Sequence, residues 1–400
     1  MERSGWSVLT GALVAFLGFA LAGPALAANK VIVGTCNGAT YATIQDGVDN
    51  VPSGGTVSVC PGTYAEQVTI DKPLTLAGQT QPSATVIVPP ATGLGTVASF
   101  ALSPLLAAPE LLIINTSGVK ITDLTVDGTG NGITGCATGL VGIMFQNASG
   151  AIFNIIAQNQ KLTTLLEGCI SGIAIMAESG NSGTSTLKVT NSTIQQYQVN
   201  GVYGAETGTI LNVTNNTITG QGSTLGAGES GVTLYEGATG NISGNSISQN
   251  IWEPDTFSDP LNAASGVLIY GAPKVRVSNN KIDENQFGVI VAPSDLSADG
   301  ALVNSNTITN TVLFDGIDLC SNNNVASNNT IKQSSESGIH LDNSVICGGT
   351  GSDNLVGGNK IDGACAGILL GTGTGNKVLG NNKISNVTYR TLPGNVCPPI

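Results

Sequence analysis

The most regular hydrophobic pattern in the chain begins near residue 190, where a polar turn containing Asn or Ser is followed by Ile. Successive copies lie as close as 23 residues (Ile308 to Ile331) and as far apart as 35 residues (Ile247 to Ile282). The repeated residues are Ile194, Ile218, Ile247, Ile282, Ile308, Ile331, Ile361 and Ile384. Self-similarity at this spacing is typical of a stacked repeat, in which every copy adds a few aliphatic side chains to one continuous core.

A second pattern follows each turn: Gly, an aliphatic residue, any residue, and another aliphatic residue. It begins at Gly201, Gly231, Gly266, Gly288, Gly316, Gly338 and Gly367. Side chains alternate between the two faces of a strand, so each copy is a strand with one buried side. The segments are too short, and too poor in matched turn signals, for hairpins. We therefore expect each strand to pair in parallel with its copy one repeat later, about 4.8 Å away.

Asn recurs at the same place in each turn, two residues before the repeated Ile. Its positions are Asn216, Asn245, Asn280, Asn306, Asn329, Asn359 and Asn382, with Asn191 or Ser192 in the first regular coil. Stacked amides can donate to and accept from the next coil, and Asn tolerates the left-handed backbone of a sharp corner. The pattern predicts an amide ladder along one corner.

The N-terminal half follows the same logic less regularly. Short strands are indicated at 56–59, 68–70, 74–76, 86–88, 112–114, 119–121 and 124–126. Residues 41–51 place Ile44, Val48 and Val51 on one helix face, and such a helix would cover the open edge of the first coil. The fold class predicted is all-β, a single-stranded right-handed parallel β-helix with a short N-terminal capping helix.

The division of the chain follows from these patterns. We expect a signal peptide over 1–27 and one β-helix domain over 28–400. Within the domain, 28–78 would form the N-terminal cap and first coil, and 190–385 the regular repeats. Two repeats carry insertions, at 219–230 and 248–265, and insertions in solenoids gather on one face, often the binding face.

The N-terminal segment indicates export. A thin positive start is followed by an apolar stretch and by Ala25-Leu26-Ala27, which is typical of a cleaved secretory signal. The apolar stretch is shorter than the roughly 20 residues that a membrane-spanning helix needs. No membrane span is expected after cleavage, and the mature protein is predicted to be secreted or periplasmic.

The eight Cys residues of an exported chain indicate disulfides. Because order along a solenoid follows sequence order, near neighbours should pair: Cys36–Cys60, Cys136–Cys169, Cys320–Cys347 and Cys365–Cys397. A zinc site is the rival interpretation, but the chain has no C-x-x-C spacing and one His, so no metal site is predicted.

The net charge of −12 argues against nucleic acid and anionic membranes as partners. Acidic polysaccharides would also be repelled unless a basic patch or a bridging cation intervenes. Fifty-four Gly residues and few aromatic residues fit a solenoid better than a compact core. A monomer is expected.

Residues 41–70 and 72–78 are similar to the N-terminal cap and first coil of pectin methylesterases, and the chain resembles the pectin-lyase-like right-handed β-helix superfamily. The Asn-x-Ile repeats resemble those of carbohydrate-binding and sugar-hydrolysing members, including periplasmic copper-insertion accessory proteins of nitrous oxide reductase. The resemblance implies the fold over nearly the whole mature chain. It carries no reaction, because the catalytic signatures of methylesterases, polygalacturonases and alginate epimerases are missing.

These observations predict an exported protein that binds or processes polysaccharide along a lateral groove. A lyase, esterase or hydrolase activity is left open. One alternative is a non-catalytic extracellular or envelope scaffold. The other is a periplasmic accessory protein of the copper-insertion type, although copper delivery would require more His or Met residues than the chain offers.

The candidate catalytic residues lie on two successive strands. Aligning Gly316 with Gly338 places Asp318 and His340 in one outward column, with Asp342 beside Cys320. A carboxylate one strand spacing from the imidazole would orient it as a general base. The competing interpretation is a solvated surface pair.

The candidate substrate-binding residues are mainly aromatic. Outward-facing Tyr side chains can stack on sugar rings, and Trp252 lies on the second insertion. Glu236 and Arg276 complete the candidate set of Tyr203, Tyr235, Tyr270, Trp252, Glu236 and Arg276. No cofactor is required by this interpretation, but a calcium-dependent lyase would place the ion among the acids of the longer repeats.

Overall fold

The computed structural model describes residues 30–226, 228–253 and 262–397, and these form one long coil of short parallel strands. After the first strand and helix, each turn of the coil contributes chain to each of three columns, and strands pair with their counterparts one turn away. This is the parallel β-helix that the repeats predict. The predicted signal peptide lies outside the described residues.

The first column, here called sheet 1, has thirteen strands in sequence order. They are Lys30–Val33, Thr56–Val59, Thr75–Gly78, Ser117–Thr122, Ser149–Phe153, Ser185–Thr190, Thr209–Thr214, Thr239–Ser243, Arg276–Ser278, Leu302–Asn304, Val325–Ser327, Leu355–Gly357 and Lys377–Val378.

The second column contains the repeated Ile residues and is called the Ile column. Its strands are Gly62–Ala65, Thr85–Val88, Thr125–Asp127, Ile156–Gln158, Thr193–Gln195, Thr217–Thr224, Ser246–Trp252, Lys281–Asp283, Thr307–Thr309 and Thr330–Lys332.

The third column contains the Gly-aliphatic pattern and is called the Gly column. Its strands are Val68–Ile70, Leu106–Ile114, Thr138–Gln146, Ile173–Glu178, Asn200–Ala205, Ser230–Tyr235, Ser265–Tyr270, Phe287–Ala292, Ile317–Leu319 and Ser337–Leu341. Strands Lys360–Leu370 and Lys383–Pro393 run through both the Ile and the Gly column, and Ala98–Ser99 pairs antiparallel with Leu106–Ile114.

A helix spans Ile44–Asn50, inside the predicted stretch 41–51. The Thr43 hydroxyl accepts a hydrogen bond from the Asp46 amide at 3.1 Å, which satisfies one free N–H of the first turn. Ile44 and Val48 are buried. Its role as a cap of the first coil stays a prediction. Two short 3-10 helices span Pro82–Ala84 and Thr164–Leu166.

The core is a stack of aliphatic files. Ile247, Ile282, Ile308 and Ile331 are register partners on consecutive coils, and all are fully buried. Parallel files run through the Gly column and sheet 1. Burying one such side chain contributes roughly 1.5–3 kcal/mol, so the predicted stacking carries the fold.

The predicted amide ladder is present along the corner before the Ile column. The Nδ2 atom of each Asn donates to the Oδ1 atom of the next, from Asn216 to Asn382, at 2.9 to 3.1 Å. Each Oδ1 also accepts a backbone N–H of the preceding coil. Ser192, rather than Asn191, begins the ladder by donating its amide to Asn216.

The left-handed backbone of this corner lies one residue earlier than the ladder. Asn215, Asn279 and Asn328 have φ values of 57°, 57° and 56°, whereas the ladder residues keep ordinary backbone. The left-handed residue and the ladder residue have different roles. The left-handed residue turns the chain, and the turn points the side-chain amide of the next residue into the interior.

All four predicted disulfides are formed, with Cα separations of 5.8 Å for Cys36–Cys60, 5.1 Å for Cys136–Cys169, 5.4 Å for Cys320–Cys347 and 6.3 Å for Cys365–Cys397. Each bond joins segments 24 to 33 residues apart, about one coil in this fold. The described helices are all too short or too polar to span a membrane.

Replacing Asn306 by Ala tests the ladder. The change removes the acceptor of the Asn280 amide and leaves that buried N–H unpaired, so unfolding should be easier by about 2–4 kcal/mol. Urea unfolding followed by circular dichroism measures the change. Asn241→Ala is the matched control, since that exposed amide pairs only with Asn212 and its loss should cost under about 0.5 kcal/mol. Equal effects of the two substitutions would contradict the role given to the buried ladder.

Candidate functional site

A cleft of about 240 Å³ lies on the outward face of the Gly column. Its floor is a column of register partners, Met176, Tyr203, Thr233 and Leu268, one from each of four consecutive coils. These residues alternate with core-facing Val and Ile, which turns them away from the interior. Thr233 donates to Asn200 Oδ1 at 2.6 Å, which fixes the polar part of the floor.

The walls of the cleft come from segments between the strands. Residues Phe100, Leu102 and Leu105 form one side, and Ile170 forms another. Gly228 and Asn262 also line the cleft, and they belong to the two predicted insertions, 219–230 and 248–265. The insertions therefore contribute to a cavity, as expected for a solenoid face that carries extra chain.

Two Tyr side chains of the candidate set line this cleft. The rings of Tyr203 and Tyr235 are 6.1 Å apart and tilted, and Tyr235 stacks on Tyr270 at 5.8 Å with an interplanar angle of 6°. Burial raises the pKa of the Tyr203 hydroxyl well above its ordinary value, with further raising by nearby Tyr235 and Glu178. The hydroxyl therefore stays neutral. The arrangement is a continuous aromatic surface with polar tips.

Glu178 is the acidic residue in the cleft wall. It ends strand Ile173–Glu178 and accepts hydrogen bonds from the Ala101 amide at 3.1 Å and from Gln146 Nε2 at 2.5 Å. Burial raises its pKa from 4.5 to about 7, although both hydrogen bonds act in the opposite direction. At neutral pH this carboxyl can hold a proton and donate it.

The candidate catalytic residues gather two coils further along the same outward column. Leu268 is followed in register by Ile290, Asp318 and His340. His340 Nδ1 lies 3.3 Å from Asp315 Oδ2 and 3.9 Å from Asp318 Oδ1, and Nε2 lies 3.8 Å from Asp342 Oδ1. The predicted adjacency of Asp318 and His340 is present, and the structure adds Asp315.

The cluster is buried, whereas the sequence pattern suggested solvent-facing side chains. Asp318 is 1% exposed and His340 is 3% exposed. Cys347 Sγ lies 3.9 Å from Asp318 Oδ2, so the segment held by the Cys320–Cys347 disulfide covers the column here. Asp342 supports that segment by accepting the amide and hydroxyl of Ser344 at 2.6 and 2.9 Å.

The ionisable groups of this cluster shift one another's pKa values. Burial acts to lower the pKa of His340, but the hydrogen bond and charge of Asp315, with the charges of Asp318 and Asp342, raise it to about 10. Burial raises the pKa of the Asp318 carboxyl well above its usual value despite the opposing effect of His340. A protonated imidazole is a poor general base, so the observed environment favours ion pairing over proton abstraction.

The remaining candidates are dispersed. Arg276 is exposed on sheet 1, a different column from the Tyr residues. Trp252 is half-buried at the end of its strand, where its amide donates to Gln286 at 3.2 Å. Glu236 is half-buried just after Tyr235, outside the cleft lining. The structure brings Tyr203, Tyr235 and Tyr270 together. Arg276, Trp252 and Glu236 do not join them in one site.

Sequence reasoning missed Glu178, Phe100 and Asp315 as site residues. Glu178 had a signal, because it is a lone acid ending an otherwise apolar strand. Asp315 also had one, because it precedes the repeated Gly where Ser230, Ser265 and Ser337 stand in other coils. Phe100 lies in an irregular segment without a repeat, so its position could not be inferred.

The family assignment follows from a sequence match over the repeats. The model of the family described as "Right handed beta helix region" matches residues 171–384, more than half of the chain. The chain belongs to this right-handed β-helix family. The predicted right-handed parallel β-helix is thereby confirmed, including the handedness of the coil. None of the curated proteins matches the chain in sequence.

Solved structures share the coil of this β-helix protein. The native GH136 lacto-N-biosidase from Eubacterium ramulus has a TM-score of 0.58 and 10% identity, and the match covers 89% of this chain and 68% of that chain. The Dettilon tailspike protein has a TM-score of 0.53 and 14% identity over 84% of this chain and 62% of its own. The catalytic domain of a GH87 alpha-1,3-glucanase variant, in complex with nigerose, has a TM-score of 0.53 and 14% identity. That match covers 90% of this chain and 68% of the glucanase domain.

These likenesses show the fold alone, because identity is so low. This chain spans 62% of the length of the tailspike protein. The chemistry of the site must therefore be argued from its own residues.

Replacing Glu178 by Gln tests the charge state of the cleft wall. A carboxyl whose folded pKa is raised to about 7 from 4.5 stabilises the fold most at low pH, and that contribution is lost as pH rises through this window. The stability of the wild type relative to Glu178→Gln should therefore fall by roughly 1–3 kcal/mol between about pH 4.5 and 7.

Urea unfolding at a series of pH values measures this difference. Asp295→Asn changes an exposed acid and serves as the control, for which the difference from wild type should stay nearly flat. A flat difference for Glu178→Gln as well would show that folding does not raise the pKa of this carboxyl.

Proposed function

We propose that the protein binds saccharide chains in the cleft on the outward face of the Gly column. The observation that carries this proposal is the lining of the cleft, where Phe100, Met176, Tyr203 and Tyr235 surround a few convergent polar groups. Binding sites for small organic ligands are typically apolar and aromatic cavities with a small number of placed polar atoms.

The chemistry of the lining suits a sugar. A pyranose ring presents an apolar face of C–H groups that can pack on Tyr203 and Tyr235, and hydroxyls that can meet Asn200 and Glu178. Tyr offers a large contact area together with a polar tip. The net charge of −12 repels acidic glycans, so a neutral saccharide is the favoured ligand.

Binding is better supported than hydrolysis. Most glycoside hydrolases place two carboxyl groups on either side of the bond that breaks. Of the described residues that line the cleft, Glu178 alone is acidic. His340 lies outside the cleft lining, and the general-base role predicted for Asp318, His340 and Asp342 stays a prediction.

The neighbours guide the choice of ligands to test. The lacto-N-biosidase is named for a carbohydrate substrate, and the glucanase structure contains nigerose. Neutral oligosaccharides are thus the first panel to examine, and alpha-1,3-linked glucose is one member of it.

Export, a monomeric state and the cap belong to the same proposal. Four disulfides are consistent with an oxidising compartment, and the predicted signal over 1–27 would deliver the chain there. The helix Ile44–Asn50, packed near the first strands, would shield their edge.

N-terminal sequencing of secreted protein tests the export part, since a mature chain beginning near residue 28 is expected.

The binding proposal is tested by titrating the full chain with neutral oligosaccharides, with pectin and alginate fragments as acidic comparisons. A neutral saccharide should bind, and Tyr203→Ala and Tyr235→Ala should each weaken that binding by about tenfold, equivalent to about 1.4 kcal/mol. Isothermal titration calorimetry measures both effects.

Tyr389→Ala is the control, because Tyr389 is an exposed aromatic residue on the last strand, far along the coil from the cleft. Its affinity should equal that of the wild type. Absence of binding across the neutral panel would reject the proposal in favour of a non-catalytic scaffold, and so would equal weakening by all three substitutions.

A further inference from the structure

Several buried carboxyl groups surround His340. Asp315, Asp318 and Asp342 are each at most 3% exposed, and half-buried Glu336 lies close enough to interact with them. Within the described chain, the ion pairs of the three Asp residues are all made with the one imidazole. Gathering several carboxylates away from water is costly unless a cation balances them.

Three donor atoms of this cluster lie close together. One ligand atom each from Asp315, Asp318 and His340 lies within 4.8 Å of the others. Nδ1 of His340 faces Asp315 Oδ2 at 3.3 Å and Asp318 Oδ1 at 3.9 Å. Such separations are close to those between neighbouring ligands of an ion whose bonds are about 2.0–2.2 Å long.

Two buried atoms of the cluster have no hydrogen-bond partner. Asp318 Oδ1 and His340 Nε2 are both unpaired, although each lies in a residue that is at least nine-tenths buried. Buried polar atoms in native proteins are nearly always satisfied. An orphan carboxylate oxygen aimed at the imidazole is therefore an independent indication that a ligand is accommodated between them.

The far side of the imidazole faces a carboxylate that lies just beyond direct hydrogen-bond distance. Nε2 faces Asp342 Oδ1 at 3.8 Å, and Asp342 is itself held in place by Ser344. Metal-bound His residues usually donate their other ring N–H to a carboxylate, which fixes the tautomer and orients the ring. Asp315 is oriented in the same manner, since its Oδ1 accepts the amide and hydroxyl of Ser337 at 3.0 and 2.6 Å.

We propose that Asp315 Oδ2, Asp318 Oδ1 and His340 Nδ1 form a binding site for a divalent transition-metal ion, with Asp342 orienting the imidazole. The ion takes the place of the proton on His340 Nδ1, which is released to solvent, and the three donors then hold the ion between consecutive coils of the Gly column. The site is separate from the saccharide cleft, and the inference does not rest on the proposed function.

The donor set selects the class of ion. One imidazole nitrogen and two carboxylate oxygens suit Zn²⁺, Mn²⁺ or Co²⁺, whereas Ca²⁺ and Mg²⁺ prefer all-oxygen sites. Cys320 and Cys347 lie beside the cluster, but their sulfur atoms are joined in a disulfide and are not thiolate ligands. Soft copper(I) is therefore disfavoured.

The experiment uses the full, oxidised chain after dialysis against a chelator. Titration with Zn²⁺, Mn²⁺ and Co²⁺, without reductant, should give a stoichiometry of about one for at least one ion, and its addition should raise the Tm. Co²⁺ provides a second readout, because visible absorption reports nitrogen and oxygen ligation directly.

Asp318→Asn and His340→Asn each remove one donor while keeping nearly the same shape. Each should weaken binding by at least about 100-fold, since changes even to outer-shell partners cost about 10–100-fold. Asp318→Asn also removes a buried ionisable group with an unpaired oxygen, so its metal-free form should be at least as stable as the metal-free wild type. A variant that binds metal weakly but unfolds no more easily than the metal-free wild type has lost the metal site and not the fold.

Glu110→Gln is the matched control. Glu110 is another fully buried carboxyl with an unpaired oxygen, but its partner is Gln160 rather than a His. Its metal affinity should match that of the wild type. The proposal is overturned if no ion binds stoichiometrically to the wild type, or if Asp318→Asn and His340→Asn bind as tightly as Glu110→Gln.

Discussion

Every feature of this molecule depends on the vertical register between consecutive coils. Parallel hydrogen bonding sets residue i of one coil directly over its counterpart in the next, and the buried amides from Asn216 to Asn382 reinforce that alignment. Each ladder amide bonds to the neighbouring amide and to a backbone carbonyl, so a shift by one residue would leave several buried groups unpaired. Register in turn decides which side chains meet on the outer face.

The sequence predicted the regular part of the fold because its period and the physical period coincide. The spacing of Ile282, Ile308 and Ile331 placed them in one file, and the aligned Gly residues placed Asp318 beside His340. The disulfides followed from the same ordering. Loop insertions do not disturb such inferences, since they leave the strand pattern on both sides intact.

The parts that sequence reasoning could not predict arise from irregular chain folding back over the strands. The cleft wall around Phe100 belongs to no repeat, and the burial of His340 depends on the segment that carries Cys347. Strand periodicity states that a side chain leaves the core. It does not state whether water or another segment of chain meets it outside, and that difference separates a surface pair from a cluster with shifted pKa values.

The outward column that runs from Met176 to His340 has a consequence for how this fold can evolve. Positions along it are separated by whole coils, so the distance between the cleft floor at Leu268 and the acid cluster at Asp318 is two steps, or about 10 Å. Gain or loss of a complete turn between them would move one region relative to the other by a fixed increment. Each region would keep its internal geometry. Whole coils can therefore be inserted or deleted to change the spacing of the two regions without altering either one.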